Sequence, residues 1–139
     1  MQPNSTLRLA RVVPGGEPYR SEQGTVYQPG ISDQTVGALS IFLGMVKLPP
    51  LERTKAHVHE HHESAFFVLS GSDIELWSGE RLQDCARARQ GDYLFIPSNV
   101  PHVAVNRSAT EPAVFVGVRN DPTAQESVLM RPELDASVP

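Results

Sequence analysis

Histidines are concentrated in one short stretch of this 139-residue chain. There are five, four of them within six consecutive residues: His57, His59, His61, His62 and His102. Residues two apart in a β-strand point to the same side, so His57 and His59 would direct both imidazoles at one point. With His102 from a distant strand they would form a three-nitrogen face with positions left open for water or substrate. The pattern predicts a metal site built on strands rather than a solvated His-rich loop.

Two segments around these histidines carry further motif residues. Residues 57–71 read HVHEHHESAFFVLSG, and residues 91–106 read GDYLFIPSNVPHVAVN. These segments resemble the two signature motifs of the cupin superfamily. With x for any residue, the first motif is H-x-H-x(3–4)-E-x(6)-G. The second is G-x(5)-P-x-G-x(2)-H-x(3)-N. Only Asn99 departs from the second pattern, and asparagine is the usual substitute for glycine in a left-handed turn.

The first motif departs from the family pattern at a ligand position. Ser64 occupies the place where the resemblance expects a carboxylate, and Glu63 lies one residue earlier. In a regular strand His62 shares a face with Ser64, whereas Glu63 points to the opposite face. We therefore predict a four-histidine metal site of His57, His59, His62 and His102. The alternative keeps Glu63 as a carboxylate ligand through a bulge at the start of the strand. His61 is expected to face solvent.

An all-imidazole ligand set determines which metals suit the site. Neutral imidazoles favour Zn, Fe, Cu or Ni and give no reason for Mg or Ca, which prefer oxygen ligands. A metal without a carboxylate ligand keeps its full charge, which strengthens it as a Lewis acid and lowers the pKa of bound water. Histidines ligate only when neutral, so occupancy is expected to fall below pH ~6.5. The predicted cofactor is a divalent transition metal: Zn, Fe or Ni.

Glycine and proline divide the rest of the chain into short segments. Ten glycines and twelve prolines leave little room for long helices. Short apolar runs recur about every 8–12 residues with turn residues between them, which predicts an all-β sandwich or barrel. The predicted strands are residues 8–13, 38–48, 66–69, 74–77, 82–89, 93–96, 100–105 and 113–118.

The resemblance implies a cupin jelly-roll barrel, also called a double-stranded β-helix, formed by one domain over residues 1–139. We expect a core over about residues 24–119, an N-terminal arm over 1–23 and a C-terminal tail over 120–139. Leu129, Met130 and Leu134 give the tail apolar surface to bury against its own barrel or a partner subunit. Family analogy and this tail predict a homodimer formed through edge strands and exchanged terminal arms.

Composition argues against several classes of protein. Twelve Lys plus Arg against sixteen Asp plus Glu give a net charge of −4, without the basic excess of a nucleic-acid-binding protein. The longest apolar stretch, residues 36–46, is shorter than the ~20 residues of a membrane helix. The N-terminus lacks the pattern of a secretory signal, and Cys85 is the only cysteine, so no intrachain disulfide forms. We expect a cytoplasmic protein with no nucleic-acid or membrane partner.

A small molecule is the expected partner of a metal inside an apolar barrel. Candidate wall residues are Phe42, Phe66, Trp77, Tyr93 and Phe95, although each one alone suits an ordinary core position. The resemblance implies an enzyme that uses its metal as a Lewis acid or for dioxygen activation, as in cupin dioxygenases or cyclases. The alternative is a non-catalytic cupin that binds or senses a small ligand. No side chain is assigned a catalytic role.

Overall fold

The computed structural model of the chain describes residues 8–139, and its strands form two antiparallel sheets. Only two short helical segments occur in that range, α1 (Asp33–Val36) and a 3-10 helix (Pro132–Ser137). Neither is long or apolar enough to cross a membrane. The all-β prediction is confirmed. The sheets share no strand, so the jelly roll is a two-layer structure rather than a closed barrel.

Within residues 8–139, eleven strands are divided between the two sheets. The first sheet has the order β1 (Tyr19–Arg20), β2 (Val26–Ile31), β3 (Phe42–Leu48), β10 (Ala113–Arg119), β5 (Ser64–Ser70) and β8 (Tyr93–Ile96). The second has the order β11 (Leu129–Met130), β4 (His57–Val58), β9 (His102–Asn106), β6 (Ile74–Ser78) and β7 (Asp84–Ala88). Successive strands from β3 to β6 lie alternately in the first and the second sheet, which is how a jelly roll brings distant segments together.

Most predicted strands have a counterpart in the structure, with shifted ends. The strand predicted at residues 8–13 is wrong, because that segment has no strand partner. Beyond it, the amide of Gly16 donates to the carbonyl of Pro29 at 2.7 Å. The pattern also missed β2, which contains Pro29 and Gly30. Its pairing with β3 shifts register between Pro29 and Ile31, and such an irregularity accommodates a proline that has no N–H to donate.

Two apolar clusters form the core. The larger lies between the sheets and contains Tyr27, Phe42, Val46, Leu48, Val68, Ile74, Ala88, Ala113 and Phe115. The smaller packs Leu134 and Val138 from the C-terminal tail against the second sheet, where Val103 and Val105 are buried. Arg53 fixes the same tail by donating hydrogen bonds to the carbonyls of Asp135 and Val138 at 2.8 and 2.9 Å. The tail thus covers its own subunit, although Leu129 remains 47% exposed.

Strand β8 presents its aromatic side chains outward. Leu94 packs against the larger core cluster and Ile96 is buried, whereas Tyr93 and Phe95 are 80% and 59% exposed. Side chains alternate along a strand, so both aromatic residues must lie on the outer face. The suggestion that Tyr93 and Phe95 line the interior is therefore wrong.

Candidate metal centre

The site begins with two histidines on neighbouring strands. His57 opens β4 and His102 opens β9, and the two residues are register partners in the antiparallel pairing. Their ring centroids lie 4.2 Å apart, and both side chains are buried. The pairing therefore joins the two sequence motifs at their ligand positions.

His59 lies one residue beyond the end of β4 and completes the group. Its ring centroid is 4.9 Å from that of His57 and 5.0 Å from that of His102. One ligand nitrogen from each of the three rings lies within 4.8 Å of the other two. The carbonyl of His59 accepts a 2.8 Å hydrogen bond from the amide of Asn99. Asn99 has φ of 64°, which confirms the predicted left-handed turn.

Backbone carbonyls orient two of the rings. Nδ1 of His57 lies 2.6 Å from the carbonyl oxygen of Lys55, and Nδ1 of His102 lies 2.9 Å from that of Val100. A carbonyl only accepts, so Nδ1 must carry the proton in both rings. Nε2 then keeps its lone pair, which is the tautomer that a metal requires.

Burial keeps the three rings neutral. Loss of hydration lowers the pKa of His57 and His59 to about 4 and that of His102 to about 3. Neighbouring histidines lower these pKa values further. All three imidazoles are therefore unprotonated at neutral pH, as ligation requires. A converging set of neutral nitrogens fits a divalent transition metal such as Zn, Fe or Ni.

A carboxylate that the sequence analysis missed lies behind His59. Glu126 comes from the C-terminal tail and is buried. Its Oε2 is 2.9 Å from Nε2 of His62 and 3.7 Å from Nδ1 of His59. Its Oε1 accepts a 2.7 Å hydrogen bond from Gln23. No periodic or motif signal marked Glu126, since it lies among polar residues of the tail.

Glu126 is held as an anion. Burial alone would raise its pKa, but the hydrogen bond from His62 and the charge of Arg119 outweigh burial and lower that pKa. Nε of Arg119 lies 3.2 Å from Oε2, and both side chains are almost completely buried. The buried carboxylate is thus compensated by a cation and by hydrogen bonds, as burial of a charge requires.

The structure separates His62 from part of the predicted set. His62 is buried and its ring centroid lies 4.7 Å from that of His59, but it joins His59 and Glu126 in a second group rather than His57 and His102. Its Nε2 is directed at Glu126. Glu63 and His61 are exposed, and the amide of Glu63 donates to Oδ1 of Asn120. The four-histidine ligand set stays a prediction.

The second group is less suited to a cation than the first. His59, His62 and Glu126 also bring ligand atoms within 4.8 Å of one another. However, the guanidinium of Arg119 already lies against the carboxylate. A divalent ion there would be repelled by that buried charge and would break the bond between His62 and Glu126. His57, His59 and His102 are therefore the better candidate ligands.

A cavity of about 60 Å³ lies between the sheets and is bordered by the three histidines. Its other lining residues are Gln23, Thr25, Tyr27, Val46, Leu48, Thr54, Phe66, Leu76, Leu94, Ile96, Ala104 and Phe115. Of the predicted wall residues only Phe66 lines it. Phe42 lies in the larger core cluster, and Trp77 packs against the smaller one.

The family profile described as Cupin domain matches residues 44–119, more than half of the chain. The chain belongs to the cupin family. No curated protein sequence matches this cupin significantly.

Solved structures share the fold of this cupin. An uncharacterized conserved protein with a double-stranded beta-helix domain from Klebsiella pneumoniae has a TM-score of 0.61 at 22% identity, covering 90% of this chain and 99% of that one. KdgF from Halomonas sp. has a TM-score of 0.64 at 16% identity, covering 83% and 96%. The formate complex of oxalate decarboxylase from Lactobacillus farciminis has a TM-score of 0.68 at 20% identity, covering 88% of this chain and 36% of that one.

In this cupin the carboxylate nearest the histidines comes from outside the first motif. Ser64 holds the motif position and is buried at the start of β5. Glu126 approaches the same group of histidines from the C-terminal tail. The family pattern is thus kept for three histidines and altered for its acidic residue.

Proposed function

We propose that this cupin binds one divalent transition metal through His57, His59 and His102 and uses it to hold a small molecule by an oxygen atom. The supporting observation is the register pair of His57 and His102, both with Nδ1 bonded to a backbone carbonyl and Nε2 left free. When bound, such a metal supplies Lewis-acid polarisation or, as Fe(II), dioxygen activation.

The chain's own residues position the third ligand. Nδ1 of His59 is buried without a hydrogen-bond partner and lies 3.7 Å from Oε2 of Glu126. A carboxylate that accepts a hydrogen bond from a ligating imidazole fixes its tautomer and makes it a stronger donor, and Glu126 is the acidic group nearest to Nδ1 of His59. Glu126 is therefore the positioning residue for His59, and Gln23, Arg119 and His62 hold Glu126 in place.

The cavity lining indicates the class of ligand. Among residues 8–139, those that line the cavity include no Lys, Arg, Asp or Glu, and most are apolar. A dicarboxylate would find no cationic side chain there to balance its charges. Oxalate decarboxylases, of which this chain spans about a third, act on a dicarboxylate. We infer instead a compact ligand of low charge, such as a phenol or a diketone, whose oxygen atoms face the histidines.

Two roles for His62 are open to experiment. As a fourth ligand it would turn its Nε2 away from Glu126. As a supporting residue it keeps the present 2.9 Å hydrogen bond and acts on His59 through the carboxylate. The existing bond favours the supporting role.

Metal analysis tests the proposed site. The purified chain should retain about one Zn, Fe or Ni per subunit, and His57→Ala and His102→Ala should each lose most of it. His61→Ala is the matched control because His61 is exposed. Loading with Co(II) gives a second measurement, a visible absorption band that depends on nitrogen ligands. Full metal retention in both variants, or no binding of any of these ions by the unmodified chain, would refute the proposal.

A non-catalytic binding role is the second candidate. Apart from the histidines, the only titratable residue among the described lining is Tyr27, and burial raises its pKa well above 10. The cavity thus offers no other side chain for proton transfer near neutral pH, which favours binding or metal-centred chemistry. Oxygen uptake with phenols and diketones distinguishes an oxidative enzyme from a binding module, because a binding module would take up the ligand without turnover.

A further inference from the structure

One polar atom at the cavity between the sheets has no hydrogen-bond partner. Gln23 lines this cavity together with His57, His59 and His102. Its Oε1 is buried and unpartnered among the described residues, and the residue as a whole is only 2% exposed. Buried polar atoms are nearly always hydrogen-bonded, because an unsatisfied one lowers the stability of the fold. An unpartnered acceptor in a cavity wall therefore indicates a ligand that brings the donor.

Glu126 fixes the orientation of the Gln23 amide. Nε2 of Gln23 lies 2.7 Å from Oε1 of this carboxylate. An ionised carboxylate only accepts hydrogen bonds, so the NH2 group must face it, and a flipped amide would place two acceptor oxygens in contact. Glu126 is not among the described residues that line the cavity. Nε2 is thus directed away from the cavity, and Oε1 is the polar atom of the side chain left to border it.

The backbone holds Gln23 beside the histidines. The carbonyl of Gln23 accepts a 2.8 Å hydrogen bond from the amide of Lys55, whose own carbonyl oxygen lies 2.6 Å from Nδ1 of His57. The side chain is linked through Glu126 to His59, whose Nδ1 lies 3.7 Å from Oε2 of the carboxylate. Gln23 is therefore connected at both ends to the histidine group, which sets the place of its free acceptor relative to the proposed metal.

We propose that Gln23 selects ligands that carry a hydroxyl group, by accepting the hydroxyl hydrogen at Oε1. The proposal rests on the proposed function, in which the metal holds another oxygen of the same molecule. The ligand class is then a small hydroxy carbonyl compound or a diphenol, with one oxygen for the metal and one hydroxyl for Gln23. A diketone without an enol hydroxyl would leave Oε1 unpaired, and a site built to bond a hydroxyl rejects analogues that lack it.

The other side-chain oxygens of the cavity lining already have partners. The hydroxyl oxygen of Thr54 accepts a 3.0 Å hydrogen bond from a backbone amide. Oγ1 of Thr25 lies 3.0 Å from another hydroxyl oxygen, and the hydroxyl of Tyr27 donates to Glu126. Among the described lining residues, Gln23 thus carries the only unpartnered side-chain oxygen.

Two pairs of small ligands of matched size test the proposal. Hydroxyacetone and butanone differ only by a hydroxyl in place of a methyl group. In the second pair, 4-hydroxybutan-2-one and pentan-2-one, the hydroxyl lies one carbon further from the ketone. Ligand-observed NMR titration of the Zn-loaded chain gives each dissociation constant. In at least one pair the hydroxyl member should bind at least about fivefold more tightly than its partner.

Gln23→Met removes the acceptor and keeps a long unbranched side chain. This variant should lose or reverse the hydroxyl preference, because the ligand hydroxyl would be buried without a partner. Thr54→Val is the matched control: it also removes an oxygen from the cavity lining, but one that already has a partner, and it should keep the preference. Gln23→Met also removes a hydrogen bond to Glu126. Its melting temperature and Zn affinity are therefore measured, and the titrations use saturating Zn.

The same titrations on chelator-treated chain separate this proposal from the proposed function. Without metal all four ligands should bind more weakly, but the hydroxyl preference should remain because Gln23 belongs to the chain. An unmodified chain that binds no metal and still prefers the hydroxyl members would refute the metal site and support the role of Gln23.

Equal binding within both pairs by the unmodified chain, or no binding of any of the four ligands, would overturn the proposal even if Gln23→Met does not fold. Such a result would indicate that Oε1 bonds a buried water molecule instead. A hydroxyl preference that Gln23→Met keeps unchanged would also overturn it, since another group would then accept the hydroxyl hydrogen.

Discussion

His57 and His102 lie directly opposite each other on neighbouring antiparallel strands, and their ring centroids are 4.2 Å apart. Strand β4 has only two residues, so little backbone pairing holds His57 beside β9. A metal that bridges the two rings would add the missing connection. Metal binding and formation of this part of the fold are therefore linked.

Metal removal should lower the melting temperature. A ligand that binds only the folded chain at one hundred times its Kd stabilises it by about 2.7 kcal/mol, which is roughly 5–10 °C for a domain of this size. Chelation followed by re-addition of Zn, Ni or Co, monitored by circular dichroism, measures the change. His61→Ala should respond like the unmodified chain, whereas a metal-dependent shift of equal size in His102→Ala would contradict the assigned ligands.

Replacement of Glu126 should weaken metal binding without removing a proposed ligand. Glu126→Gln keeps the side-chain shape but loses the charge behind His59, and loss of such a supporting group typically costs 10–100-fold in metal affinity. Isothermal titration with Zn gives the affinity, and the Co(II) spectrum reports whether the nitrogen ligands stay in place. Glu133→Gln is the control, since Glu133 is exposed and bonds only Arg131 among the described contacts. Equal Zn affinity in Glu126→Gln and the unmodified chain would argue against the positioning role.

Glu126→Ala should also destabilise the fold. It leaves the buried guanidinium of Arg119 without its carboxylate, and breaking a buried ion pair in this way costs about 3–5 kcal/mol. Chemical denaturation measures this loss, and the Gln variant should lose less because it still accepts hydrogen bonds.

His62→Ala should reduce metal retention more than Glu63→Ala. His62 is buried against Glu126, whereas Glu63 is exposed. If His62 is a fourth ligand, its loss changes the number of nitrogens seen in the Co(II) spectrum. If it supports Glu126, the band is kept and only the affinity falls, as in Glu126→Gln. Greater loss of metal in Glu63→Ala would favour the bulged-strand alternative.

Stability of the metal-free chain should fall as the pH drops from 7 to 5. In the unfolded chain histidines bind protons below pH ~6.5. In the folded chain burial lowers the pKa of His57 and His59 to about 4 and that of His102 to about 3. The unfolded state thus takes up more protons in this window, so the contribution is complete above pH ~6.5 and decreases toward pH 4.

Each of the three rings should contribute roughly 1–2 kcal/mol to that change. Glu126 adds little between pH 7 and 5, because its lowered pKa affects stability only below its ordinary value near 4.5. Urea unfolding of chelator-treated protein at both pH values measures the difference. His102→Ala should show a shallower dependence, and an identical unfolding free energy at pH 7 and pH 5 in the unmodified chain would contradict the assigned burial.

Asn99→Val should destabilise the turn inside the second motif, between β8 and β9. A β-branched residue at φ of 64° costs about 1–3 kcal/mol, whereas Asn99→Gly adopts this conformation freely. Thermal unfolding of the two variants gives the comparison. Because the amide of Asn99 holds the carbonyl of His59, the Val variant should also bind Zn more weakly. A Val variant as stable as the Gly variant would show that the turn tolerates strain.

The residues that follow simple periodicity were predictable from the sequence. Alternation placed His57 and His59 together, and motif spacing linked them to His102. The left-handed turn at Asn99 followed from the backbone freedom of asparagine. Each of these predictions needed only a residue type and its spacing along the chain. None depended on knowing which distant segments contact each other.

Contacts between distant segments were not predictable in the same way. Glu126 meets Gln23 across 103 positions of sequence, and nothing local marks either residue. Alternation also predicts two faces for β8 without showing which face is interior. Tyr93, Leu94, Phe95 and Ile96 all have large side chains that occur in buried strands, so only the packing of neighbouring strands decides the direction.

The two sheets divide the site between them. The strands that carry His57 and His102 belong to one sheet, while Phe66, Leu94 and Phe115, which border the cavity, belong to the other. Ligand preference could therefore be redesigned by enlarging or reducing these three side chains, with the strands that carry the histidines left untouched. Such a scaffold lends itself to libraries in which one layer is varied and the opposite layer is kept constant.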